Sequence, residues 1–148
     1  MAFHFRFEAV LSLRRSQERG ERLKLEAIAS EEAQIRARIQ ELADLVIEST
    51  RSFQQRLKAG MAGSELQLES VRAQDAIRKR KLLRLRLDEC EKRRATQALL
   101  YYQARRNRET LEELRLRQLQ DYRQAEAKRE QRELDDLFLI RRDFRKTE

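Results

Sequence analysis

From Leu25 onward the apolar residues recur at alternating steps of three and four: Leu25, Ile28, Glu32, Ile35, Ile39, Leu42, Val46, Ser49 and Phe53. Seven of these nine positions are apolar, which is the narrow stripe of a coiled-coil helix rather than the broad face of a globular one. Such a stripe needs a partner. Each Leu, Ile or Phe that it buries contributes about 1.5 to 3 kcal/mol only if a second helix covers it. Phe3, Phe7, Val10, Leu11 and Leu13 extend the apolar face toward the start of the chain. Phe3, Phe5 and Phe7 also alternate with the period of a strand. Between the two apolar segments, residues 14–22 are polar and include Gly20, and this stretch is expected to pack softly.

The one clear interruption is Ala59, Gly60, Met61, Ala62, Gly63 and Ser64. Its two glycines permit the positive φ angles of a tight reversal, and Ser64 with Gln67 has the spacing of a capping box. The pattern predicts helix one over about residues 3–58, a turn at 59–64 and helix two over about 65–145. Helix two meets no breaker between Glu65 and Phe144, a length near 120 Å at 1.5 Å per residue.

If the chain reverses there, residue i of helix one comes opposite a residue near 123 minus i. The apolar pattern reflects accordingly. Leu25 to Phe53 faces a region with Leu66, Val71, Ile77, Leu82, Leu83, Leu85, Leu87 and Leu99. The polar segment 14–22 faces Arg105, Arg106, Asn107, Arg108 and Glu109, and Phe3 to Leu11 faces Leu111, Leu114, Leu116 and Leu119. The predicted fold class is all-α: two long helices in an antiparallel coiled-coil hairpin. Helix two outruns helix one, leaving a C-terminal overhang from about residue 120. That overhang ends in an apolar cluster, Leu134, Leu137, Phe138, Leu139, Ile140 and Phe144, of the kind that marks a contact with another molecule.

Composition agrees with this picture. Proline is absent, glycine occurs three times in 148 residues, and 41% of the residues are charged, which leaves too little for a round core. The longest apolar run is Ala98 to Tyr102, far short of the roughly 20 residues that cross a bilayer, and Arg6 and Glu8 interrupt the place where a secretion signal needs continuous hydrophobicity. One cysteine and one histidine supply neither a disulfide framework nor a zinc site, and the cysteine usage fits a reducing cytosol.

No constellation for catalysis stands out, and three glycines cannot build a phosphate loop. The net charge of +8 suits nucleic acid, an anionic membrane or an acidic protein. The densest basic block, Arg78, Lys79, Arg80, Lys81, Arg84 and Arg86 with Lys92, Arg93 and Arg94, is interspersed with leucines and spread around the helix, so a solvated face is preferred over a nucleic-acid groove. Tyr101 and Tyr102 fit seam and rim packing better than base stacking. The amphipathic start could lie on an anionic membrane, but pairing with Leu111 to Leu119 accounts for the same residues.

The opening Phe5, Phe7, Val10, Leu11 and Arg14 resembles the start of the FliJ family of flagellar export proteins. The run Arg129, Glu130, Gln131, Arg132, Glu133, Leu134, Asp135 and Asp136 resembles that family's C-terminal signature, although the bulky Phe138, Leu139 and Ile140 depart from it. The resemblance implies a non-enzymatic, cytoplasmic component of the flagellar type III export apparatus, similar to the central stalk of rotary ATPases. Its implied partners are a hexameric export ATPase, the cytoplasmic domain of the export gate and export chaperones. No cofactor or small-molecule substrate is implied, and membrane association is peripheral, at the inner face of the cell membrane. On that footing the open end, with Phe3, Phe7, Arg129, Gln131, Arg132, Leu134, Asp135, Leu137 and Phe138, is expected to enter the ATPase ring. The turn end, with Leu42, Leu82 and Arg84, is expected to face the gate. The competing readings are a basic nucleic-acid-associated coiled coil and the equivalent stalk of a virulence-type injectisome.

Overall fold

The computed structural model describes the backbone over residues 3–144 and side chains through residue 142. Two helices account for nearly all of it: α1, Glu8–Ala59, and α2, Gly63–Phe144. Both are biased by charge in the direction the helix dipole favours. Glu8 and Glu65 lie in the first turns, with Arg56, Lys58, Arg141 and Arg142 in the last. No strand occurs among the described residues, so the period-two aromatics do not form one. Residues 3–5 are irregular and Arg6 and Phe7 form a turn, closed by Glu8 N–H donating to the Phe5 carbonyl at 3.2 Å. This entry segment keeps Phe5 buried and sets its ring edge-on to Phe7 at 5.9 Å.

The reversal uses one glycine rather than two. Gly60 alone takes a positive φ, of 96°, whereas Gly63 is already the first helical residue of α2. The expected Ser64 and Gln67 capping box does not form, because α2 starts one residue too early for Ser64 to stand outside it. The Ala62 carbonyl instead accepts the first helical bonds, from Glu65 and Leu66.

Contacts divide the chain into two units, one of residues Arg19–Tyr102 and one of residues up to Glu18 together with Gln103 onward. Within the first unit the helices are antiparallel. Arg56 pairs with Glu69, Arg36 with Glu91, Arg93 with Glu31 and Gln97 with Glu21, each step away from the turn on α1 matched by one on α2. Glu21, Leu25, Ile28, Glu32, Ile35, Ile39 and Leu42 point inward from α1 at the expected spacing. The inward residues of α2 are Leu83, Leu87, Cys90, Gln97 and Tyr101. Here the structure corrects the sequence reading: Leu66, Val71, Ile77, Leu82, Leu85 and Leu99 are all exposed. A seam through residues 83, 87 and 90 puts 82 and 85 on the far side of the same helix, so apolar content alone misplaced them.

Glu32 occupies a buried seam position and is satisfied there. Arg94 donates to one carboxylate oxygen at 2.9 Å and Arg36 to the other at 3.0 Å, while Arg36 also reaches Glu91 at 2.8 Å. The Arg94 hydrogen bond, assisted by Arg36, holds the Glu32 carboxyl below the usual carboxylate range despite the opposing effect of burial. Cys90 is fully buried in the next layer, its thiol donating to the Ile28 carbonyl at 3.6 Å.

The second unit pairs its helices with the same polarity. Arg108 bridges Glu18 and Glu112, Arg15 meets Glu112 at 3.0 Å, Arg115 meets Glu8 at 3.2 Å, and the Phe3 and Tyr122 rings stand 5.7 Å apart. Leu11 is completely buried. Within this unit Leu11, Arg14 and Glu18 keep the three-and-four spacing along α1. The polar stretch 14–22 carries ion pairs to α2 at Arg15 and Glu18, and Gly20 lies in it with helical geometry and open space around its missing side chain. Beyond Glu126 every described side chain, through residue 142, is exposed, which is the C-terminal overhang.

Three consequences are measurable. Leu11→Ala removes the one fully buried leucine and should cost about 2 to 4 kcal/mol, read from urea unfolding. Gly20→Ala restricts the unfolded chain and meets nothing in the fold, so it should stabilise by about 0.5 to 1 kcal/mol. For Glu32 the depressed folded pKa means that its stabilisation is complete above the unfolded carboxylate range, near pH 4.3, and is lost as pH falls through the folded value. The thermal midpoint of Glu32→Gln should therefore lie below wild type at pH 7 and converge with it as pH drops toward 3.

Candidate partner-binding site

Three surfaces offer themselves for recognition. The first is the overhang. Leu134, Leu137 and Phe138 share one face, spaced three and four residues apart, while Leu139 and Ile140 point to other sides. The turn 137–140 is thus apolar all the way round, and the exposures are large, 68% for Phe138 and 63% for Leu134. A helix that is hydrophobic on every side is ordinarily a buried one. The side chain of Phe144 lies outside the described residues.

Just before this turn, Arg129, Gln131, Arg132 and Asp135 are exposed, and Gln131 donates to Asp135 at 3.4 Å one helical turn on. Phe3 and Phe7 belong to the same unit but lie lower on it. Phe3 packs on Tyr122, which precedes Leu134 by about 18 Å of helix, and Phe7 is bracketed by the Phe5 edge and the Arg6 guanidinium at 5.9 Å. The nine residues expected at the open end thus separate into an aromatic collar formed by the N-terminal segment and Tyr122, and a bare helical tip. The collar partner, Tyr122, was not foreseen in the sequence. Its position four residues after Gln118 on the α2 seam is the signal that points to it.

The second surface is a groove between the turn-proximal ends of the helices. The α1 seam opens beyond Leu42: Val46 and Ser49 are exposed, although both were expected to be packed. Opposite them α2 presents Glu69, Ala73 and Ala76, too small or too polar to fill the space. The result is an apolar groove of about 450 Å³ lined by Leu42, Leu45, Val46, Phe53, Leu66 and Ala73. Of the turn-end residues expected to face a partner, Leu42 lines this groove. Leu82 stands at a similar level on the outside of α2, and Arg84 points to yet another side, so the three do not form a single face.

The third surface is the basic block of α2. Lys79 is tied to Asp75 at 2.8 Å, Arg93 to Glu31 at 2.7 Å and Arg94 to Glu32 at 2.9 Å. Three of its nine basic residues are therefore held in ion pairs, and the nine are spread around the helix rather than gathered on one face. Among the described residues no group of three or more His, Cys, Asp or Glu side chains could hold a metal ion, and no helix is long and apolar enough to cross a membrane.

Comparison with known proteins gives one result. No curated protein and no solved structure matches the chain significantly. The family model described as flagellar FliJ protein matches residues 3–147, nearly the whole chain, including the opening and closing motifs that carry the resemblance. The chain with the bare apolar tip and the half-open seam thus belongs to the flagellar FliJ family, in general a non-catalytic component of the flagellar export apparatus.

Proposed function

We propose that this chain acts as a central-stalk-like rod of the flagellar export apparatus, with its C-terminal overhang inserted in the pore of the hexameric export ATPase and its turn end directed at the cytoplasmic domain of the export gate. The observation that carries the reading is the turn 137–140, apolar on every side at the exposed end of an otherwise charged helix. A flat partner would cover one side and leave Leu139 or Phe138 in water. A closed ring covers all sides at once, and so accounts for the distribution. Arg129, Arg132 and Asp135 stand immediately outside that turn, where charged residues at a ring's mouth would fix depth and rotation.

Two paired helices resist bending better than one, and that stiffness lets a rod transmit rotation or asymmetry between the ATPase and the gate. The groove by Leu42, Phe53 and Leu66 fits an apolar segment of the gate or of an export chaperone, which would complete the open seam with a third helix. On this reading the chain is cytoplasmic and peripheral at the inner face of the cell membrane.

Truncation after Glu133 tests the assignment. Residues 134–148 make no ion pair or ring contact with α1 among the described residues, so the shortened chain should keep its helicity and unfolding midpoint. Binding to the cognate ATPase should fall at least about tenfold, the loss of one or two buried apolar side chains. Unchanged binding and unchanged ATPase stimulation would remove the overhang from the mechanism.

A further inference from the structure

The seam, the groove and the overhang leave one surface without a role: the side of α2 facing away from α1 between Leu68 and Leu99. It has a three-and-four spacing of its own, offset from the seam positions Leu83, Leu87 and Cys90 to nearly the opposite side of the helix. Its apolar members are well exposed, Leu82 and Leu85 at 53% each and Leu99 at 71%.

What distinguishes this stripe is that it is complementary to its own reversal. About a centre between Leu82 and Leu85, those two residues exchange. One layer outward, Arg78 reflects onto Glu89; the next layer reflects Asp75 onto Lys92. Beyond them, Val71 reflects onto Thr96, both β-branched, and Leu68 onto Leu99. Every ionic layer therefore meets the opposite charge and every leucine meets a leucine. A two-fold axis is the operation that brings a helix against its own reversed copy, and each pair then occurs twice.

Within the chain these charges are largely unused. Among the described residues the side chains of Arg78, Glu89 and Lys92 take part in no ion pair, and only Asp75 has a partner, Lys79. Lys81 and Asp88 add a further opposed pair on one flank. The other flank is basic, with Arg72, Lys79, Arg86 and Arg93. Three of those four are already tied to Glu69, Asp75 and Glu31, so the repulsion rests mainly on Arg86.

We propose that two copies of this chain associate antiparallel through the outer face of α2, about a two-fold axis between Leu82 and Leu85. The interface is small, with polar layers and one basic flank, which places its dissociation constant in the micromolar range. The inference does not depend on the export reading; Leu82, expected from the family resemblance to face the gate, lies in this stripe, so a paired copy and a gate contact at Leu82 would exclude each other.

Sedimentation equilibrium of the purified full chain, from about 1 to 300 µM, tests the proposal. The expected result is a reversible monomer–dimer equilibrium. Arg78→Glu and Glu89→Arg should each weaken it about tenfold, through two lost pairs and two new repulsions, with the helicity unchanged. The double variant R78E/E89R should recover wild-type association within about threefold. Residues 78 and 89 stand eleven apart on one helix and cannot meet within a chain, so recovery requires contact between copies. A wild-type chain that stays monomeric throughout overturns the proposal. So does a dimer that ignores both single reversals, or one that the double variant fails to restore. Neither Arg78 nor Glu89 belongs to the overhang or the groove, so ATPase binding should be the same in all four proteins, and a change there would count against the export reading instead.

Discussion

Register between two helices is the constraint on which everything else depends. Neither α1 nor α2 could stand alone in water as a long amphipathic helix, because each seam is thin and repeatedly interrupted by charge. What keeps them together is that the interruptions coincide. Glu32 meets Arg94, Glu21 meets Gln97, and Glu18 meets Arg108, each at a level where an apolar partner would have left a buried or half-buried carboxylate unpaired. Such pairs add little net stability, but they penalise any slip of one helix past the other by stranding charges in the seam. Apolar layers at Leu11, Ile28 and Cys90 supply cohesion, and the ionic layers supply alignment.

Much of this is legible in the sequence alone. The reversal at Gly60, the antiparallel pairing near 123 minus i, the α1 seam from Leu25 to Leu42 and the overhang follow from spacing and from the scarcity of glycine. The α2 seam did not follow. Leucine is so frequent on α2 that every side of the helix carries some, and reading apolar content as burial assigned Leu82, Leu85 and Leu99 to the wrong side. The inward positions are instead marked by residues that look unremarkable in isolation, Cys90, Gln97 and Tyr101, which share only a phase. Within residues 14–22, Arg15 and Glu18 pair with Glu112 and Arg108 on α2, contacts that polarity alone does not announce.

The candidate site was legible in part for the same reason. The tip at Leu134 to Ile140 is continuous in sequence and shows itself as a cluster, whereas the turn-end groove depends on α2 offering Ala73 and Ala76 where α1 offers Val46 and Phe53. A void between two helices is a property of paired positions, visible only once the register is known. Leu42 lines this groove, but its wall at Leu45, Val46 and Leu66 has no signal separable from the general abundance of aliphatic residues.

The uneven seam also bears on how the chain could work. In one unit close pairing over Leu25 to Leu42 gives way to an open groove toward the turn; in the other, pairing at Leu11 and Glu18 accompanies a helix that is bare beyond Glu126. Apolar surface left uncovered in the groove, which leucines at residues such as Ala73 and Ala76 could fill, is stability forgone, and so is the bare turn 137–140 in the other unit. Selection for a free-standing hairpin would have closed those gaps. In each unit the uncovered surface lies beside a paired segment whose alignment does not depend on it, so another molecule can complete that surface without disturbing the pairing.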